Sequence, residues 1–164
     1  MITQQIAARV LEKAMSTGGR FAELFLENTL GNNIMMVNGV LEKAVSGEMY
    51  GCGLRVFNGL NAVYAYGNDL TEPGLMKLAK AASAAVVAGQ SGTIAAFAPQ
   101  TVHENHKITK LPSGVNKADV TALLRQAHDA ATAFHKAITQ TSNKYLDVTQ
   151  DVLIINSEGL WVTD

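Results

Sequence analysis

Apolar positions recur at helical spacing from the first residues of the chain. Ile6, Val10, Leu11 and Ala14 fall on one stripe, with Gln4, Gln5, Arg9, Glu12 and Lys13 between them. The pattern predicts a helix over residues 3–17, capped by Thr3 and ended by Gly18-Gly19. Across residues 20–30 the period falls to two. Phe21, Glu23, Phe25 and Glu27 interleave with Ala22, Leu24 and Leu26, which suits a strand buried on one or both faces. Asn38-Gly39 and Asn58-Gly59 each separate apolar runs and supply the positive-φ residues that tight hairpin turns need. With a third break at Ser46-Gly47, residues 20–67 read as an antiparallel meander of about five strands.

Glu72-Pro73 opens a second helix, with Thr71 as its cap, that runs to about Ala88 and ends at Gly89. Residues 89–115 hold two of the three prolines and several Gly and Ser, and read as a connector. A third helix follows over about 117–140. Asn116 is its candidate cap, and Val120, Leu123, Leu124, Ala127, Ala131, Phe134 and Ile138 form its stripe. A strand over 144–155, a turn at Asn156-Ser157-Glu158-Gly159 and a strand from Leu160 complete the pattern. The fold class is α+β, a single domain over 1–164 in which helices pack on an antiparallel meander.

Composition narrows the function classes. The 48% apolar and 16% charged fractions exclude general disorder. Thirteen basic against 14 acidic side chains, a net charge of -1, leave no electrostatic footprint for direct nucleic-acid or anionic-membrane binding. The single cysteine, Cys52, excludes an internal disulfide and fits a reducing compartment. No apolar run reaches the roughly 18–20 residues that span a bilayer. The N-terminus has no apolar core of a signal peptide, so a cytoplasmic location is expected.

Candidate chemistry is sparse. His103 and His106 form an HxxH pair in the connector, and His128 and His135 lie seven apart on the third helix. Zinc takes three or four ligands, and no cysteine or carboxylate cluster completes either pair, so the simpler reading is solvated or hydrogen-bonded histidine. Gly51-Cys52-Gly53-Leu54-Arg55 begins like a phosphate loop but lacks a third glycine and a following helix. Those glycines read as a bulge or a close backbone approach. Cys52 is a possible nucleophile, though a lone strand cysteine is usually core. Ser157 sits in NSEG, outside a nucleophile elbow. Arg55 on a strand calls for a partner, with Glu42, Glu48 and Asp69 as candidates. Met35, Met36 and Met49 read as core filler or as an adaptable surface. No catalytic, cofactor-binding or metal-binding residue is assigned.

The order of motifs nevertheless resembles a family. Asn38-Gly39 is followed by a glutamate, then come Gly51-x-Gly-x-Arg55-Val56, Ala65-Tyr66 and Asn68-Asp69-Leu70-Thr71, which opens an alanine-rich helix. The upstream Gly-Gly, Phe21-Ala22-Glu23-Leu24 and the late Ile155-Asn156-Ser157-Glu158-Gly159 fit the same order. Together they resemble the N-terminal domain of the TldD/PmbA metallopeptidases, also described as modulators of DNA gyrase. Ala65-Tyr66-Gly67-Asn68-Asp69-Leu70-Thr71 is nearer the TldD-like branch.

The resemblance implies a zinc site in a C-terminal half, on an HExxxH helix that His103-Glu104-Asn105-His106 does not match. It also implies that the chain is an N-terminal fragment, inactive by itself, with no cofactor of its own. Its implied partners are the catalytic half, a second copy or a paralogous TldD/PmbA subunit, and an extended or unfolded peptide substrate. Its implied roles are dimerisation and formation of a substrate chamber. Alternative readings are a stand-alone peptide- or protein-binding module, or a small enzyme using Cys52 or His135.

Overall fold

Short-range signals set the first helix. In a computed structural model describing residues 2–102 and 107–164, α1 spans Gln4–Met15, and Thr3 Oγ1 accepts from the Ile6 amide at 3.2 Å. Ala7, Val10, Leu11, Ala14 and Met15 are buried, one apolar stripe repeated over two and a half turns. The amides of Gly18 and Gly19 then both donate to the Met15 carbonyl, at 3.0 and 3.1 Å. Gly18 has φ +140°, and a Cβ there would stand 2.4 Å from the Gly89 amide nitrogen, so the next segment can close over it only because the side chain is absent.

Six strands form one sheet: β1 Phe21–Val37, β2 Val40–Asn58, β3 Asn61–Gly67, β4 Ala98–Thr101, β5 Ser142–Asn156 and β6 Leu160–Thr163. Their order across the sheet is β3-β2-β1-β5-β6-β4. Two more α-helices, α2 Glu72–Ala85 and α3 Lys117–Phe134, and a 3-10 turn at Pro112–Gly114 complete the fold. The α+β class with a mostly antiparallel sheet is as expected. Residues 20–67, however, carry three strands rather than about five. Ser46-Gly47 is no turn, and β2 runs through it.

The chain divides into two compact units, and β1, β2 and β5 contribute to both. The first comprises residues 2–28, 50–102 and 151–164. Its core joins α1 and α2 to Ala22, Leu24, Leu54, Val56 and Ile155, all fully buried. Thr71 caps α2 by accepting from the Gly74 amide at 3.3 Å, and Pro73 stands in the first turn, as expected. The helix stops at Ala85, short of Ala88, because Val86 takes an extended backbone and turns into the core, while the Thr17 hydroxyl donates to the Ser83 carbonyl. Pairing of β2 with β3 runs from Cys52↔Gly67 to Asn58↔Asn61. The two-residue turn is therefore Gly59-Leu60, with Gly59 at φ +59°, one position beyond the expected Asn58-Gly59.

The connector holds a strand that the sequence pattern did not show. β4 pairs in parallel with β6, from Ala98↔Leu160 to Thr101↔Thr163, at the edge of the sheet where Pro99 is tolerated. Upstream of it, Gly89, Gly92 and Ala95 donate backbone hydrogen bonds to Thr17, Gly19 and Ser157. His103 and His106 lie outside the described residues.

The second unit comprises residues 29–49 and 107–150. Asn38 at φ +48° and Gly39 at φ +76° make the expected β1–β2 hairpin turn. Asn116 caps α3, its Oδ1 accepting from the Ala118 amide at 2.9 Å. Of the expected stripe only Val120 and Leu124 are buried, against Ile34 and Met36, with Val115 and Tyr145 beside them. Phe134 is 84% exposed and α3 ends there instead of near 140, because His135 is extended at φ -158°.

Candidate functional site

The structure disperses the candidate residues. Cys52 is buried in β2, and burial pushes its thiol above the ordinary range, so it is a poor nucleophile. In the second unit, His128 Nδ1 lies 2.6 Å from Thr141 Oγ1. The Thr141 amide donates to Asn38 Oδ1 and its carbonyl accepts from the Asn38 amide, at 2.9 and 3.0 Å. His128 therefore braces the hairpin turn, and a Cβ on Gly39 would strike its ring at 2.9 Å. His135 is exposed beyond α3, where Nδ1 accepts from the Ala137 amide at 3.1 Å.

Arg55 lies 5.7 Å from the centre of the Tyr64 ring, a cation–π contact. No ion pair joins it to Glu42, Glu48 or Asp69 among the described residues, where the salt bridge observed is Arg9–Glu72 at 2.9 Å. Gly53 lies beneath Tyr64, whose hydroxyl would be 2.3 Å from a Cβ there. The glycines thus mark a close approach, as expected. Ser157 is buried in the first unit and binds the backbone of Ala22. Met36 is core, whereas Met49 is 65% exposed.

Two concave regions remain. In the second unit, a cleft of about 430 Å³ is lined by Leu30, Asn32, Ser46, Lys117 and Asp147, among others. There Lys117 Nζ donates to Ser46, Ser46 donates to Asn32 Oδ1 at 2.6 Å, and Asn32 Nδ2 donates to Asp147 at 2.7 Å. A hydrogen bond to Asp147 also holds the Tyr145 phenol above its ordinary range. The Asp147 carboxylate thus accepts from both Asn32 and Tyr145.

In the first unit, a cleft of about 650 Å³ is lined by Ile2, Ile6, Tyr50, Asn68, Asp69, Leu70, Thr71 and Glu72. It opens where β3 stops covering β2. Pairing begins at Cys52, and residues 40–50 of β2 are all exposed, including Val45, Met49 and Tyr50. Among the described residues no strand lies on that side of them. The free edge was hidden in the sequence because the Ser46-Gly47 signal divides β2 into two short strands.

A metallopeptidase would need a zinc ligand set. Among the described residues no three His, Cys, Asp or Glu side chains cluster so as to hold a metal ion, and Cys52, His128 and His135 are engaged or isolated as described. These residues do not fit zinc.

Comparison with known proteins agrees with the architecture. The family model described as PmbA/TldA metallopeptidase domain 1 matches residues 22–86, and the PmbA/TldA metallopeptidase central domain matches residues 110–164. The chain belongs to the TldD/PmbA family. Its fold is similar to that of a protein named as a modulator of DNA gyrase from Bacteroides thetaiotaomicron. They share 15% identity at a TM-score of 0.72, covering 100% of this chain and 39% of that one. A similarly named Thermotoga maritima protein gives 13% and 0.69, covering 98% and 36%. TldE from Thermococcus kodakarensis gives 12% and 0.71, also covering 98% and 36%. The chain thus spans less than two fifths of the solved chains it resembles. No curated protein matches it. No helix among the described residues is long and apolar enough to cross a membrane.

Proposed function

We propose that this chain is the non-catalytic N-terminal portion of a TldD-like zinc metallopeptidase that acts on extended or unfolded peptides. The observation that carries the reading is the succession of two family domains, domain 1 and central, within a chain matching less than two fifths of its structural relatives. On this reading the zinc ligands belong to a catalytic half, in the cytoplasm. The N-terminal portion helps form the substrate chamber and a dimer with a second copy or a paralogue. The free edge of β2 supports a peptide-handling role, since an unpaired strand offers main-chain donors and acceptors to an extended chain.

The test begins with the native polypeptide. An antiserum raised against residues 1–164 should detect a species much larger than this chain in lysate of the source cell. That species, purified, should cleave an unfolded peptide only with zinc present. A native product of only 164 residues that binds peptides without cleaving them would replace this reading with a stand-alone binding module.

A further inference from the structure

We infer that the open face of the sheet in the second unit docks an amphipathic helix from another protein chain, one with acidic residues beside its apolar stripe.

Hydrogen bonds fix which side chains share a face. Ser46, Asn32 and Asp147 are linked side chain to side chain across β2, β1 and β5. On that side Ile34, Met36 and Tyr145 pack with Val120 and Leu124 of α3. Alternation along each strand turns the intervening residues the other way. Met35 and Val37 of β1, Val45 and Met49 of β2, and Leu146 and Val148 of β5 therefore share the opposite face. Val45, Met49, Leu146 and Val148 are each between 51% and 65% exposed. Gly31 and Gly47 lower this face, since a Cβ on the first meets nothing nearer than 3.5 Å and on the second nothing within 4 Å.

The sheet of this unit is thus apolar on both sides and covered on one. Its core is correspondingly small. Among the described residues it holds the buried Ile34, Met36, Val120 and Leu124, against fifteen buried side chains in the first unit. A contiguous apolar face inside a charged rim marks a surface that docks a separate chain. Three strands about 4.8 Å apart make a floor roughly 10 Å across, the diameter of one helix. The same strands already hold one helix, α3, on their other side.

Charge selects the partner. Lys43 and Lys144, two positions from Val45 and Leu146, stand at the margin of the face. Both are exposed, and neither forms an ion pair among the described residues. The outward positions of the three strands in this unit carry no carboxylate, because Glu42, Glu48 and Asp147 alternate with them. An acidic flank on the incoming helix complements the lysines. A second copy of the chain would set lysine against lysine. Two lysines also fall short of the clusters of about four to eight that hold an anionic membrane.

The experiment uses methyl NMR of the chain labelled with 13C at its methionine methyls, with zinc removed. One probe is a helical peptide of about 18 residues with a leucine stripe flanked by glutamates. The second has lysines in place of the glutamates, and the third is vesicles of phosphatidylcholine with phosphatidylserine. The glutamate peptide should bind about tenfold more tightly than the lysine peptide. It should shift the Met35 and Met49 methyls and leave those of the buried Met15 and Met36 in place. Lys144→Glu changes an exposed residue and should reverse the preference between the peptides. Equal affinities, or no binding of either peptide, overturn the proposal. So do shifts confined to Met15 and Met36. Vesicles that move Met35 and Met49 replace the protein partner by a membrane. The native polypeptide detected by the antiserum should respond as the 164-residue chain does. Silence of Met35 and Met49 there means that its own chain covers the face, and overturns docking of a separate one. The peptidase reading is judged apart from these results, by zinc-dependent cleavage.

Discussion

Ser157 and Ala22, 135 positions apart, hold each other by two hydrogen bonds. The Ser157 amide donates to the Ala22 carbonyl at 2.9 Å, and Ser157 Oγ accepts from the Ala22 amide at 3.1 Å. Both residues are buried, so the hydroxyl satisfies a donor that water cannot reach.

Ser157→Ala strands that amide. The expected loss is about 1–3 kcal/mol, the penalty for a buried unsatisfied donor. Urea unfolding followed by circular dichroism reads it as a lower midpoint with unchanged slope.

Glycine replacements should separate by site. Gly18→Ala forces a side chain into a positive-φ position against Gly89, and strain of this kind costs about 1–3 kcal/mol. Gly47→Ala meets nothing within 4 Å and should stay within about 0.5 kcal/mol of the parent. Thermal unfolding of both variants distinguishes the close approach from the open strand.

Asp69 should mark the acid limb of stability. Hydrogen bonds from the Thr71 side chain and then its backbone lower its folded pKa. Between the folded and unfolded values the unfolded state holds more protons, so stability rises with pH there. The contribution is fully present above the unfolded pKa and fades as pH falls through the folded one. In Asp69→Asn the slope of stability against pH below about 4 should flatten.

Cys52 should be inert while the protein is folded. Burial raises its pKa, and the thiolate is the reactive form. A thiol reagent at neutral pH should modify it slowly in buffer and fully in denaturant. Rapid labelling of the folded chain would contradict the described burial.

Equilibrium dialysis should find no stoichiometric zinc on the 164-residue chain, as expected from the scattered positions of Cys52, His128 and His135. Tight binding of one zinc per chain would instead direct attention to the histidine pair at 103 and 106.

Sequence legibility tracked the range of the interaction. Thr3, Thr71 and Asn116 act on amides two or three residues away, so their caps were readable from local spacing. Asn38-Gly39 was readable for the same reason, while Asn58-Gly59 was misplaced by one because Asn58 pairs with Asn61. β4 was not readable. Its partner β6 lies about sixty positions onward, and Pro99 argues locally against any strand. The exposed stripe on α3 failed similarly, because periodicity does not show how wide a surface the sheet will cover. The cleft depends on where β3 stops and β2 continues, which no local motif encodes.

The division of the chain also bears on synthesis. The first unit is assembled from residues 2–28, 50–102 and 151–164, and both strands that flank β6 in the sheet are themselves separated by a helix and a long connection. A ribosome must deliver nearly the whole segment before Ile155, Ser157 and Trp161 can close over the N-terminal helix and strand. Until then the Ala22 amide and carbonyl lack their partner Ser157, and loop-closure entropy works against early pairing. Nascent chains stalled ahead of residue 151 would therefore display an unfinished apolar surface, the kind that chaperones retain.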